Sequence, residues 1–176
     1  MATYTLIASS TVGAGGASSV AFTSIPSTYT DLKVVTSLRS TTGGAVTYSL
    51  FMKMNNLTTS IYSQKALEGN GSAASSFSQS GADSAVRAGT VSGTGATANT
   101  FSNSEIYIPN YTSSNNKSAS IDTVTETNAT TVYSNLIAYL VSSTAAITDL
   151  TFTTEPAGGV SFAQYSTFYL YGIKNS

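Results

Sequence analysis

Leu32, Val34, Thr36 and Leu38 alternate with Lys33, Val35, Ser37 and Arg39, and this period of two limits the fold more than any other feature. Successive side chains of a strand point to opposite faces, so one set can meet a core while the other meets water. No segment places apolar residues at i, i+3, i+4 and i+7 among good helix formers, and β-branched Thr and Val dominate the apolar stretches. Strands must therefore carry the chain. After Gly43-Gly44 the alternation resumes with Val46, Tyr48, Leu50 and Met52 against Thr47, Ser49, Phe51 and Lys53, which predicts an antiparallel neighbour joined by a short glycine turn.

Further strands are predicted at 4–8, 19–23, 61–65, 84–91, 101–108, 118–127, 131–142, 147–154 and 167–174. Turn residues separate them at Asn55-Asn56, Asn70-Gly71, Asn115-Asn116 and the Glu155-Pro156-Ala157-Gly158-Gly159 loop, where Gly and Asn tolerate positive φ. Many short strands with such breaks predict an all-β fold, an antiparallel two-sheet β-sandwich in a single domain over residues 1–176. The stretch from Gly69 to Thr100 departs from the pattern. It is mostly Gly, Ala, Ser, Thr and Asn, with Phe77, Val86 and Val91 as its only large apolar side chains, and is read as a long loop or insertion around 69–100.

The 176 residues include 30 Ser and 28 Thr but only 15 charged side chains. An apolar fraction of 41% with 18 aromatic rings still gives enough surface to bury a core, so the hydroxyl-rich composition does not imply disorder. The formal net charge is −1 and the basic residues are scattered from Lys33 to Lys174, which lacks the footprint of a nucleic-acid binder. With neither His nor Cys, the chain cannot assemble a usual zinc site, a Ser-His-Asp or Cys-His pair, a thiolate nucleophile or a disulfide. The longest apolar run, Leu136 to Val141, is far shorter than the roughly 20 residues of a bilayer-spanning helix. The first residues lack the basic start and long apolar stretch of a secretory signal, so synthesis in a cytoplasm is expected.

Carboxylate chemistry is what remains for an enzyme. Asp122 and Glu126 share a strand face but lie about 13 Å apart along it. Glycosidase carboxyl pairs lie roughly 5 to 9.5 Å apart, so these two do not make one, although either could meet Glu105 or Asp83 across strands. Gly13-Ala14-Gly15 and Gly93-Thr94-Gly95 neither open a helix nor precede a Gly-Lys-Ser/Thr signature and read as turns. Eight dispersed acids show no calcium loop. The expectation is a protein without enzymatic activity, metal or cofactor.

Two strands carry apolar residues on both faces. In 131–142, Val132, Leu136, Ala138 and Leu140 form one face and Tyr133, Ile137, Tyr139 and Val141 the other. In 167–174, Phe168 and Leu170 oppose Tyr169, Tyr171 and Ile173. A sandwich covers one face of each sheet, so the second faces would form an apolar, Tyr-rich patch of the kind that marks association surfaces. Tyr133, Ile137, Tyr139, Val141, Tyr169, Tyr171 and Ile173 are the interface candidates; a long loop of the same chain laid over these faces is the other reading.

The opening residues, Tyr4-Thr5-Leu6-Ile7-Ala8-Ser9, then Val20-Ala21-Phe22-Thr23-Ser24-Ile25-Pro26 and Tyr29-Thr30-Asp31-Leu32, resemble small virion proteins of tailed bacteriophages, particularly those of aquatic and cyanobacterial hosts. Phe168-Tyr169-Leu170-Tyr171-Gly172-Ile173-Lys174 is similar to the closing strand of these proteins, so the resemblance covers both ends of the chain more than its middle. It implies a jelly-roll-like sandwich in a virus particle, made in the host bacterial cytoplasm. Its partners would be the major capsid protein or other virion proteins and further copies of itself, a trimer favoured. No nucleic acid or membrane is involved. The leading expectation is a capsid decoration or cement protein whose hydroxyl-coated, nearly uncharged surface keeps its contacts in salty water, where exposed ion pairs are screened. The alternative is a tail-associated module that binds host glycan, with Tyr107 and Tyr111 stacking on sugar rings.

Overall fold

The computed structural model describes residues 2–41, 43–82, 85–128, 132–154 and 159–175. Among them the chain forms β1 (Thr3–Thr11), β2 (Ser19–Phe22), β3 (Asp31–Leu38), β4 (Thr47–Met54), β5 (Tyr62–Gly69), β6 (Ala74–Ala82), β7 (Arg87–Ser92), β8 (Ser102–Ile108), β9 (Lys117–Glu126), β10 (Val132–Val141), β11 (Leu150–Thr153) and β12 (Thr167–Lys174). Every strand pairing is antiparallel, in one sheet ordered β1-β12-β3-β8-β9-β10-β5-β6 and a second ordered β2-β11-β4-β7. The fold is all-β, a sandwich of two antiparallel sheets.

Eight strands divide evenly between the layers, β1-β12-β3-β8 in the larger sheet and β2-β11-β4-β7 in the smaller. The chain changes sheet at each step from β1 to β4 and again between β7 and β8 and between β11 and β12, which is the double-sheet jelly-roll arrangement. The remaining four strands, the antiparallel pairs β5–β6 and β9–β10, extend the larger sheet beyond β8. This topology corrects the expected hairpin across Gly43-Gly44. β3 pairs with β12 and β8, whereas β4 pairs with β11 and β7 in the other sheet. Two alternating segments around a glycine pair look alike whether the link closes a hairpin or crosses between layers.

The stretch expected to be a loop at 69–100 contains β6 and β7. β6 lacks large apolar residues because it is the edge of the sheet and almost wholly exposed, with only Phe77 half-buried among its large side chains. Its backbone ladder to β5 holds it, with Ala66 opposite Phe77 and Leu67 opposite Ser76. Ser84, the first residue of the expected 84–91 strand, and most of the Glu155–Gly159 turn lie outside the described residues.

Between the layers, one half of the interior is aromatic and aliphatic. Phe152 of β11 packs edge-on to Phe22 at 6.4 Å between centroids and tilted on Phe168 at 5.4 Å, and Phe168 meets Phe162 at 5.1 Å. Leu32, Val34 and Leu38 of β3 and Leu50, Met52 and Met54 of β4 complete this region. The other half is a hydroxyl core. Thr123, Thr125 and Thr127 of β9 and its continuation, Ser102 and Ser104 of β8, and Thr90 and Ser92 of β7 are all buried. The hydroxyl-rich composition thus fills interior as well as coating surface, because β-branched Thr suits a strand and its hydroxyl finds partners across the gap.

Candidate functional site

A bulge positions a charged cluster between the layers. In the β4–β7 ladder, Ser49 pairs with Thr90 but Phe51 pairs with Arg87, so Ala88 and Gly89 both stand against Leu50. Gly89 takes φ +138, and a Cβ there would come within 2.9 Å of Ser104 Oγ, so the bulge needs a residue without a side chain. In regular alternation Arg87 and Thr90, three apart, would face opposite ways. The extra residue aims both at the larger sheet.

Arg87 meets a row of polar side chains there. Asn135 of β10 stands directly opposite Glu68 of β5, and the Arg87 guanidinium donates to the Asn135 carbonyl oxygen and forms an ion pair with Glu68. The same guanidinium lies 4.8 Å from the Phe77 ring centroid, a cation–π contact from the edge strand. Beside it, the Thr90 hydroxyl is 3.2 Å from Thr123 Oγ1, which also takes a hydrogen bond from Ser104 Oγ at 2.9 Å. Thr47, Ser49, Tyr48, Thr90, Arg87, Glu68 and Tyr133 enclose a cleft of about 310 Å³ that opens where β4 begins and β5 ends. Sequence reading singled out only Tyr133 of this set. The bulge was the missing signal, since without it nothing places Arg87 with Glu68.

The outer face of the larger sheet is a second feature. Leu67, Leu136 and Leu140 are exposed on β5 and β10, and Leu67 and Leu136 line a shallow depression of about 620 Å³ with Lys65, Ser76, Ser78 and Ala138. Tyr4 and Leu6 are exposed on β1 at the far side of the same sheet. Between these apolar patches, Lys33 of β3 pairs with Glu105 of β8 at 2.7 Å, and Glu105 stands opposite Asp122 of β9.

The interface candidates divide. Ile137, Tyr139 and Val141 are buried in the chain's own core and Ile173 is buried on β12 opposite Tyr4 and Asp31, a correction to the expectation that they form a contact face. The β10 residues with odd numbers point between the layers, where Tyr139 packs edge-on to Tyr62 at 6.1 Å and donates its hydroxyl hydrogen to the Met52 carbonyl. Burial pushes the Tyr139 phenol well above its ordinary pKa and raises that of Tyr62. Tyr133, at the start of the strand, is half-buried at the cleft, and Tyr169 and Tyr171 are half-buried on β12, where they stand opposite Val35 and Lys33. The exposed face of β10 is the other one, with Leu136, Ala138 and Leu140.

Of the two glycan-stacking candidates, Tyr107 is exposed and donates its hydroxyl hydrogen to Asp31 Oδ2 at 2.8 Å; this bond to a carboxylate raises its pKa. Tyr111 is fully buried and donates to the Pro26 carbonyl, which corrects the expectation that it could stack on a sugar. Glu126 accepts from the Asn128 backbone N–H at 2.8 Å, and Asp83 lies outside the described residues. Glu105 and Asp122 are the acids that register brings together, and both line a depression of about 230 Å³ on the outer face with Tyr4, Lys33 and Tyr107. No group of three or more Asp or Glu side chains gathers among the described residues.

No family model matches the chain, and no curated protein matches it. Among solved structures it is similar to scytalido-glutamic peptidase with a peptide-based transition-state analogue, at TM-score 0.34 and 11% identity over 85% of this chain and 73% of that one. The same peptidase with a transition-state analogue inhibitor gives TM-score 0.30 and 11% identity over 86% and 73% of the two chains. The CBM2 module of the evolved Dit of Lactobacillus casei BL23 phage J-1 gives TM-score 0.29 and 11% identity over 90% and 70%. Scores this low assign neither fold nor function.

Proposed function

We propose that the chain is a non-enzymatic virion structural protein of a tailed bacteriophage, a capsid decoration or cement protein that docks on the assembled shell and holds it by buried area. The observation that carries this reading is the outer face of the larger sheet, where Leu67, Leu136 and Leu140 on one side and Tyr4 and Leu6 on the other stand in water without cover from their own chain. Apolar surface gathered in patches on a folded protein marks association more often than singly exposed residues do. The sheet's two edges add to it. Neither Thr3–Thr11 nor Ala74–Ala82 contains a charged residue or a proline, the usual guards of an edge strand.

Three of the segments that resemble phage virion proteins, those at 4–9, 29–32 and 168–174, also lie together in space. β1 pairs with β12 and β12 with β3, and the Tyr29 ring lies against Gly172. Partners are the major capsid protein and further copies of this chain, in a symmetric oligomer of which a trimer is the favoured form. A specific contact buries about 800 Å² per partner, and repeated modest contacts on a symmetric shell reinforce one another.

Electron microscopy of purified particles tests the reading, with density for this chain expected on the shell in many copies. Particles that lack the protein would overturn it. Density confined to the tail would replace it with the tail-associated reading.

A further inference from the structure

We infer that the cleft between β4, β7, β5 and β10 binds a neutral saccharide, independently of whether the outer face docks on a capsid. The cleft has a volume of about 310 Å³, at the lower end of the range for small-ligand pockets. Its charges cancel, since Arg87 and Glu68 are paired within it. A phosphate or carboxylate ligand would have to approach Glu68 and take Arg87 from it, whereas an uncharged ligand leaves the pair intact.

Two buried donors at the cluster have no partner among the described residues, Arg87 Nε and Asn135 Nδ2. Asn135 is 1% exposed, and its side-chain oxygen already accepts from Arg87, so the unsatisfied Nδ2 belongs to the cluster whose Arg87 and Glu68 line the cleft. A buried N–H without an acceptor is costly, and a ligand hydroxyl would relieve it. Ser49, Thr90 and Glu68 supply acceptors for the hydroxyl's own hydrogen. Tyr48 and Tyr133 line the same cleft and offer ring surface to the C–H side of a sugar. The Tyr48 ring is fixed in place: its hydroxyl accepts from the Ala45 N–H at 3.2 Å, and Gly43 packs so closely on it that a Cβ there would overlap the ring. A ligand with hydroxyls on its edge and hydrocarbon on its face matches this combination.

Nuclear magnetic resonance on the full chain tests the inference. Cellobiose, lactose, maltose and N,N′-diacetylchitobiose are titrated to millimolar concentration, with inorganic phosphate as the charged comparison, while the Arg87 Nε–H and Asn135 side-chain amide signals are followed. At least one disaccharide is expected to shift both signals saturably. Tyr133→Ala is expected to weaken that binding about fivefold while the fold is retained, because one stacked ring contributes about 1 kcal/mol beyond its area. Tyr107→Ala, on the outer face, is expected to leave it unchanged. Signals that no disaccharide moves overturn the proposal, as does a response to phosphate alone. A sugar response that survives Tyr133→Ala and is lost in Tyr107→Ala would also overturn it, by moving the site to the outer face.

Discussion

Leu136 of β10 and Leu67 of β5 stand directly opposite each other in antiparallel register, 58% and 60% exposed. One residue along, Ile137 and Ala66 are also partners, and they are 1% and 4% exposed on the other face. Leu and Ile have nearly equal hydrophobicity, so the difference lies in which face the second sheet covers. The leucines are left over by the folding of one chain, and that surplus surface is available for a partner.

Replacing both leucines, as Leu67→Ser with Leu136→Ser, removes apolar surface that the folded chain does not use. Urea unfolding is expected to change by less than about 0.5 kcal/mol per site. Light scattering at micromolar concentration is expected to report an oligomer for the native chain and a smaller species for the double variant. A native mass equal to one chain would count against self-association.

Ile137→Ala is the companion test on the opposite face. It leaves a cavity between the sheets and is expected to cost about 2–5 kcal/mol in equilibrium unfolding, whereas Leu136→Ala at the neighbouring position costs a fraction of that. Equal losses at the two positions would mean that the face assignment of β10 is wrong.

Thr123 is the hub of the hydroxyl core. Its Oγ1 takes a hydrogen bond from Ser104 at 2.9 Å and donates to the Asn103 carbonyl at 3.0 Å. Thr123→Val keeps the shape but strands those groups, with an expected loss of about 1–3 kcal/mol in urea unfolding. A Val variant as stable as the native chain would show that water satisfies them instead.

Gly172 sits mid-strand in β12 with the Tyr29 ring against it, and a Cβ there would come within 2.3 Å of the ring. Gly172→Ala is expected to destabilise by about 1–3 kcal/mol through overpacking. Combining it with Tyr29→Ala should recover part of the loss, which a double-mutant cycle would read directly.

Alkaline pH should act through Tyr107, whose bond to Asp31 raises its pKa, and through the buried Tyr62, Tyr111 and Tyr139. Burial raises the last three pKa values above the ordinary 10.0, so the unfolded chain loses all four protons first. Stability is unaffected below pH 10 and falls as pH rises from there through the folded-state values. Lys117 has the opposite sign. Burial lowers its pKa although its ammonium donates to the Ser113 carbonyl at 2.7 Å and the Asn115 carbonyl at 2.5 Å, so its cost disappears as pH climbs to 10.5. Thermal melts of the native chain and Tyr139→Phe between pH 8 and 11 should show a shallower alkaline fall in the variant.

Much of the strand content is legible locally. The alternation in Leu32–Arg39 and Val46–Lys53 marks β3 and β4, and similar runs mark most of the others. β6 escapes notice because Ala74–Ala82 offers almost no apolar residue to alternate, its order coming from backbone pairing with β5. The cleft escapes for another reason. Arg87, Glu68 and Asn135 are far apart in the chain, and a bulge that depends on the backbone at Gly89 brings them together.

The sequence by itself determined that this chain is built on strands, that it lacks imidazole and thiol chemistry, and that some strands carry more apolar surface than one core can hold. Only the tertiary structure decided which face of β10 is inside, and it chose Ile137, Tyr139 and Val141 over Leu136 and Leu140. A strand with apolar residues on both sides has a pattern that is nearly unchanged when its faces are exchanged. The symmetry is broken by what packs against it, here the Tyr62 ring at Tyr139 and the Met52 carbonyl that accepts its hydroxyl.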